Sequence, residues 1–282
     1  MNRKPLAVFI AVLIPIVFSA CRFFGTQPTE PETTTVREYI TDMHGNEVPV
    51  FENVEKSQFD PTKFTYTDNG RITYADDSYH VMTGIDVSVF QDNIDWNAVA
   101  ADGIDYVMLR IGGRGYGEGA LYEDTNFPQN FNGAKNAGLK VGVYFFSQAI
   151  TVEEATEEAS FVLQLLNGAQ LDFPVAFDWE HVDDASARTS AIGGAQITSF
   201  AKAFCDVIAS NGYQPVIYFN REHGYFNYEL SLISGYHFWY AEYADVPSFV
   251  YDYKMWQYTE TGKVNGIQGN VDLNIAIFPV SG

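Results

Sequence analysis

The sequence predicts an α/β fold: a single irregular TIM-like β/α barrel of eight strands with helices missing in its last third, preceded by a small β appendage. Three observations predict it. From residue 83 onward, short apolar runs alternate with helix-like stretches, the pattern of a layered β/α domain. There are eight such runs, the number that closes a barrel. After about residue 240 the gaps between runs are too short for full helices. Residues 83–282 are long enough to bury a sizeable core as one domain.

In chain order, residues 1–20 carry a basic start (Arg3, Lys4), an apolar run from Leu6 to Phe18 and then Ser19-Ala20, the layout of a secretory signal peptide. The apolar run is too short for a comfortable membrane span. Phe18-Ser-Ala-Cys21 resembles the lipobox of bacterial lipoproteins, with Phe where Leu is usual; this implies lipidation at Cys21. Residues 21–40, with Thr26-Gln-Pro-Thr-Glu-Pro-Glu-Thr-Thr-Thr35, are rich in Pro, Thr and Glu and read as a flexible tether. The expected location is therefore outside the cell, as a membrane-anchored lipoprotein facing the wall or exterior, with plain secretion as the alternative. Residues 41–82 form the small β-rich extension, because Phe64-Thr-Tyr66 and Arg71-Ile-Thr-Tyr74 flank Asn69-Gly70, a hairpin signal.

The barrel strands are expected at 84–87, 106–111, 140–146, 173–180, 215–220, 238–243, 254–258 and 271–277. Thr151-Val-Glu-Glu154 is a capping box that opens a helix over 151–166, and Gly168 stops it. A helix over 126–137 ends at Gly138, and a longer one over 196–210 ends at Asn211-Gly212.

Four acids fall at strand ends. Asp86 follows Gly84-Ile85, Asp178 and Glu180 end Phe173-Pro-Val-Ala-Phe-Asp-Trp-Glu180, and Asp272 lies in the eighth run. Residues two apart in a strand share a face, roughly 6.5–7 Å apart along the chain, so Asp178 and Glu180 can both project into one cleft. Barrel active sites are built from residues at the carboxyl ends of strands. A carboxyl pair of this kind serves glycoside hydrolysis, one protonated to assist the leaving oxygen and one ionised beside the oxocarbenium centre. Arg110, Tyr144, Tyr218, Asn220, Tyr240, Trp256 and Gln257 interrupt strand ends in the same way; an aromatic fraction of 16% suits a cleft that binds sugar faces.

Composition excludes several classes. A net charge of −20, from 16 basic and 36 acidic residues, argues against nucleic acid as partner and against a membrane hold by a basic patch. Besides Cys21 there is only Cys205, so no disulfide framework is available; Cys205 reads as a small core residue. Gly112-Gly-Arg-Gly-Tyr-Gly-Glu-Gly119 lacks the Gly-Lys-Ser/Thr ending that grips phosphates and is read as a flexible loop on the cleft rim.

Taken together, Gly84-Ile-Asp-Val-Ser88, Ile94-Asp-Trp96, Leu109-Arg-Ile111, the Gly-rich run, Val141-Gly-Val-Tyr-Phe-Phe-Ser147, Pro174-Val-Ala-Phe-Asp-Trp-Glu180, Trp256-Gln-Tyr258 and Val271-Asp-Leu-Asn274 resemble the glycoside hydrolase family 25 lysozymes, the Chalaropsis-type N-acetylmuramidases. The resemblance runs from about Gly84 to Ile277. It implies cleavage of the β-1,4 bond between N-acetylmuramic acid and N-acetylglucosamine in peptidoglycan, on an irregular barrel and without cofactor or metal. By the same resemblance Glu180 is the general acid, Asp178 its partner as nucleophile or orienting carboxylate, and Asp86 and Asp272 supporting acids. Tyr144, Arg110, Tyr218 and Gln257 are implied as substrate-contacting or framework residues. Tyr240 is a further candidate from its strand position alone.

The chain departs from the family where Phe90-Gln91-Asp92 stands in place of the frequent His-Gln-Gly. Competing readings are an endo-N-acetylglucosaminidase or chitinase-like enzyme, for which Ala176 stands where an Asp is usual, and a catalytically idle peptidoglycan-binding lipoprotein. A divalent-cation site on the four acids ranks lower still. A monomer is the default expectation.

Overall fold

The computed structural model describes residues 38–280. The expected signal peptide at 1–20, the expected lipidation at Cys21 and the expected tether up to residue 37 lie outside the described residues.

Two small antiparallel pairs come first. β1 (Tyr39–Thr41) pairs with β2 (Glu47–Pro49), so folded chain begins inside the stretch read as tether. β3 (Phe64–Tyr66) pairs with β4 (Ile72–Tyr74), with Phe64 opposite Tyr74, as the Asn69-Gly70 signal predicts. Val48, Phe51, Ile72 and Tyr74 join the same hydrophobic core as the barrel.

The barrel strands are β5 (Tyr79–Val87), β6 (Tyr106–Arg114), β8 (Lys140–Ser147), β9 (Val175–Trp179), β10 (Pro215–Asn220), β11 (His237–Ala241), β12 (Met255–Gly262) and β13 (Val271–Pro279). They are hydrogen-bonded in that order, and β13 returns to β5 to close the sheet. Neighbours from β5 through β12 are parallel; β13 runs antiparallel to both β12 and β5. β5 starts at Tyr79, so the barrel takes in the last residues of the segment read as appendage.

Four helices separate the early strands: α1 (Trp96–Ala101), α2 (Phe127–Asn136), α3 (Val152–Leu166) and α4 (Gly194–Ser210). Asp95 caps α1 through the Asn97 and Ala98 amides, and Thr151 caps α3 through the Glu154 amide. After β10 comes a π-helical turn over His223–Asn227, and no α-helix follows among the described residues. The parallel strands thus lose their helical cover where the sequence gaps shorten.

Strand alternation divides the core in two. Ile85, Val107, Leu109, Val143, Val175, Phe177, Ile217 and Phe219 face outward against the helices, and Phe204 and Cys205 of α4 meet them there. Burying each large apolar side chain in this layer contributes roughly 1.5–3 kcal/mol. Met82, Tyr106, Met108, Ala176, Val216, Trp239, Met255 and Ala276 face inward and fill the barrel. Tyr106 stacks on Phe173 with ring centroids 4.1 Å apart. A Cβ at Gly84 would sit 2.1 Å from the Tyr106 ring, so the floor requires glycine there.

The Gly-rich run is half strand and half loop: residues 115–119 form the turn that the sequence predicts, while its first three residues do not. Gly112, Gly113 and Arg114 finish β6 and pair with the added strand β7 (Leu121–Glu123). A Cβ at Gly112 would lie 2.3 Å from the Tyr122 carbonyl oxygen, which explains glycine by close backbone approach. Arg114 is buried and donates to Glu157, Glu158 and the Gly119 carbonyl, fixing the hairpin to α3.

Candidate active site

The alternation that fills the barrel also aims its acids. Along β9, Val175, Phe177 and Trp179 face the helices while Ala176 faces in, so Asp178 faces in and Glu180, just past the strand, follows the same side. Both line a cleft of about 300 Å³ at the carboxyl ends of the parallel strands, together with Asp86, Arg110, Tyr144, Tyr218, Gln257 and Asp272. Asp86 on β5 and Asp272 on β13 are directly opposite in antiparallel register, so their side chains leave the sheet as neighbours.

Asp86 is the hub. Its Oδ2 accepts from Gln257 Nε2 at 2.9 Å and from Asn274 Nδ2 at 2.8 Å. Asn274 is held in turn by Trp239 Nε1, which donates to its Oδ1 at 2.8 Å, and Tyr218 donates to Gln257 Oε1 at 3.0 Å. Each amide that donates to Asp86 is therefore itself oriented by a second hydrogen bond. Arg110 donates from Nε to Asp124 Oδ2 at 2.7 Å, and its guanidinium lies 5.0 Å from the Phe90 ring. Phe90, 79% exposed, forms the rim.

Asp86, Asp178, Glu180 and Asp272, packed into one cleft and largely buried, cannot all ionise cheaply. Burial raises Asp86, against the opposing hydrogen bonds from Asn274, Gln257 and Asp272. Burial, then the charge of Asp86, pushes Asp272 up to about 9, and its hydrogen bond to Asp86 works in the same direction. The consistent assignment is a protonated Asp272 that donates to an ionised Asp86. Burial raises Asp178 well above the usual carboxylate range, helped by Glu180 and Asp86 and opposed by Arg110. Burial and Asp86 also raise Glu180, while the Tyr218 hydroxyl opposes. The push is stronger on Asp178, whose Oδ1 is buried without a hydrogen-bond partner, than on Glu180, the reverse of an ionised Asp178 beside a protonated Glu180. Tyr144 and Tyr218 are likewise pushed up, chiefly by burial, and remain hydrogen-bond donors.

One candidate from the sequence lies elsewhere. Tyr240 is fully buried on the outer face of β11, stacked on Phe249 at 4.7 Å, with its hydroxyl donating to Glu242. Its neighbour Trp239 takes the inward position; the period of two fixed the spacing but not the phase of that strand. Trp256 also faces out, and Asn220 caps the following turn through the His223 amide. Residues that sequence reasoning missed are Trp239, Asn274, Tyr243 and Glu260. Asn274 was findable, since it lies two residues after Asp272 as Glu180 does after Asp178.

The Phe90-Gln91-Asp92 departure has a backbone consequence. Gln91 Oε1 accepts from the Ser88 amide at 2.9 Å, while Asp92 takes φ 50° and ψ −127°, a region that suits glycine. Asp92→Gly is expected to stabilise the fold by up to about 1 kcal/mol, after the entropy of the unfolded chain offsets part of the relief. A lower melting temperature for that variant would overturn the strain reading.

Asp272 yields a pH-dependent expectation. Its folded pKa lies above the unfolded value of 3.8, so the native state binds this proton more tightly and stability falls as pH rises toward about 9. Asp272→Asn keeps a donor toward Asp86 without that ionisation. The melting-temperature difference, variant minus wild type, should therefore increase from pH 4 to pH 9; a flat difference would show that Asp272 does not hold a proton.

The chain is similar to known proteins. The profile of glycosyl hydrolases family 25 matches residues 85–267. The autolytic lysozyme of Clostridium acetobutylicum is 31% identical over 194 residues, covering 68% of this chain and 55% of that protein. The solved bacterial lysozyme from Streptomyces coelicolor superposes with a TM-score of 0.56 at 25% identity, over 68% of this chain and 90% of its own. The modular autolysin LytC from Streptococcus pneumoniae, solved in complex with a synthetic peptidoglycan ligand, shares the fold with a TM-score of 0.63 at 23% identity, over 85% of this chain and 56% of its own. The chain thus spans little more than half the length of the autolytic lysozyme and of LytC. A closed eight-stranded barrel, four inward acids and a profile match over most of that barrel lead to one conclusion: the chain belongs to glycosyl hydrolases family 25.

Proposed function

We propose that this protein is a lysozyme that hydrolyses peptidoglycan at the β-1,4 bond between N-acetylmuramic acid and N-acetylglucosamine. The observation that carries the reading is the inward pair Asp178 and Glu180 at the end of β9, buried where burial and like charge keep protons on carboxyl groups. Glu180, the less buried of the two, acts as general acid on the leaving oxygen. Asp178 is the nucleophile or the carboxylate that orients the substrate's own N-acetyl group. As positive charge grows on the sugar ring, it pulls down the pKa of the adjacent Asp178 and leaves the shared proton on Glu180. Asp86, anchored by Gln257, Asn274 and Asp272, sets the floor potential, and Tyr144, Arg110 and Tyr218 line the substrate's path.

The lysozyme name of the Clostridium relative and the peptidoglycan ligand of LytC support this substrate class. We further propose export, with a lipid on Cys21 holding residues 83–282 at the wall.

Mass spectrometry of soluble products from purified peptidoglycan tests the reading. Fragments with reducing N-acetylmuramic ends are expected. Reducing N-acetylglucosamine ends would reassign the enzyme as a glucosaminidase, and absence of fragments with retained wall binding would make it a binding protein.

A further inference from the structure

We propose that the β3–β4 hairpin adds a sugar-binding site beside the catalytic cleft, a groove between Tyr66 and Tyr243 that receives an N-acetylated sugar of the glycan strand beyond the scissile bond. The inference rests on the lysozyme reading and deepens it. A groove of about 470 Å³ is lined by Tyr66 of the hairpin, by Tyr243 and Asp245 after β11, and by Thr261 and Lys263 at the end of β12. Tyr243 also lines the catalytic cleft, and Glu260, between Thr259 and Thr261, does so as well. The two cavities therefore adjoin across one tyrosine ring, and a polymer in the first meets the second.

The lining fits a sugar. Tyr66 and Tyr243 are each 54% exposed, leaving ring surface for the apolar face of a pyranose. Asp245 and Thr261 offer hydrogen-bonding partners for hydroxyl and acetamido groups. Lys263 Nζ donates to the Gly269 carbonyl at 2.9 Å and to Asn270 Oδ1 at 2.7 Å, both neutral acceptors. No carboxylate among the described residues lies within 4.0 Å of it, so its charge is available to an acidic substituent such as a lactyl or peptide carboxylate.

The groove is also preorganised. The Tyr66 hydroxyl donates to Asp245, which holds its ring. Arg71, with a side chain 7% exposed, donates to the carboxylate and carbonyl of Asp102, and the Phe64 ring meets Trp256 at 5.4 Å. A ring already held in place loses less entropy on binding. The hairpin lies before residue 85, where the family match begins, so this wall is an addition to the family's matched region.

The test compares cleavage of the shortest glycan strand the enzyme accepts with cleavage of strands several disaccharides longer. Tyr66→Ala and Lys263→Gln are expected to leave kcat/KM on the short strand unchanged and to lower it on long strands by roughly three- to tenfold, through KM. Tyr66→Phe, which keeps the ring, should retain most of the long-strand advantage and a wild-type melting temperature. Equal losses on both lengths, or none on long strands, would overturn the proposal. If the protein cleaves neither strand, calorimetric binding of N-acetylated oligosaccharides separates the two readings. A length-dependent loss of affinity in Tyr66→Ala would sustain the groove without the lysozyme, and identical affinities would overturn the groove.

Discussion

Glu180→Gln is expected to lower kcat on peptidoglycan by about 10²–10⁴ while leaving KM close to wild type, the range a positioned general acid supplies. The amide keeps the shape and a donor but carries no transferable proton. Glu180 stands where burial and Asp86 raise its pKa, so in the wild type its proton persists above the usual carboxylate range and activity falls only as pH rises through that raised value. The glutamine variant should lose this alkaline limb along with the rate. Its melting temperature should match or exceed wild type near neutral pH, because one group that resists ionisation has been neutralised. A rate within tenfold of wild type would remove Glu180 from the role of acid.

Asp178→Asn is expected to cost about 10²–10³ in kcat, the scale of one preorganised charge facing the transition state. It should also move the pH profile. The charge of Glu180 raises Asp178, and an interaction between two charges acts on both. In the complex, where the positive sugar ring has ionised Asp178, an uncharged residue at 178 therefore lets Glu180 ionise at lower pH and shifts the alkaline limb of kcat toward acid. An unmoved limb would mean that the pair does not couple. With a slow substrate, direct attack by Asp178 predicts a glycosyl ester on the protein detectable by mass, whereas orientation of the N-acetyl group leaves none.

Much of this site was legible without coordinates. All eight barrel strands and the three expected helices follow from apolar runs, caps and glycine stops, because these signals are local. The i, i+2 rule put Asp178 and Glu180 together, and Asp86 and Asp272 fell at ends of runs that a closed sheet makes neighbours. α1 went unrecognised despite its Asp95 cap, because six residues give too little periodicity to read. The first three residues of the Gly-rich run form strand rather than the expected loop, because glycine marks loop flexibility and close backbone approach alike, and only β7 beside them distinguishes the two.

The sequence by itself determined the order of strands, the family resemblance and which acids are spaced to share a face, since a strand's period of two is a property of the chain alone. Tertiary structure alone decided which face is inside. It turned Trp239 rather than Tyr240 into the cleft, set Asp272 against Asp86 by reversing β13, and brought the β3–β4 hairpin to a groove beside residues far along the chain. The raised pKa values belong to the same category, because a carboxyl group holds its proton according to the burial and charges around it, and closure of the barrel supplies both.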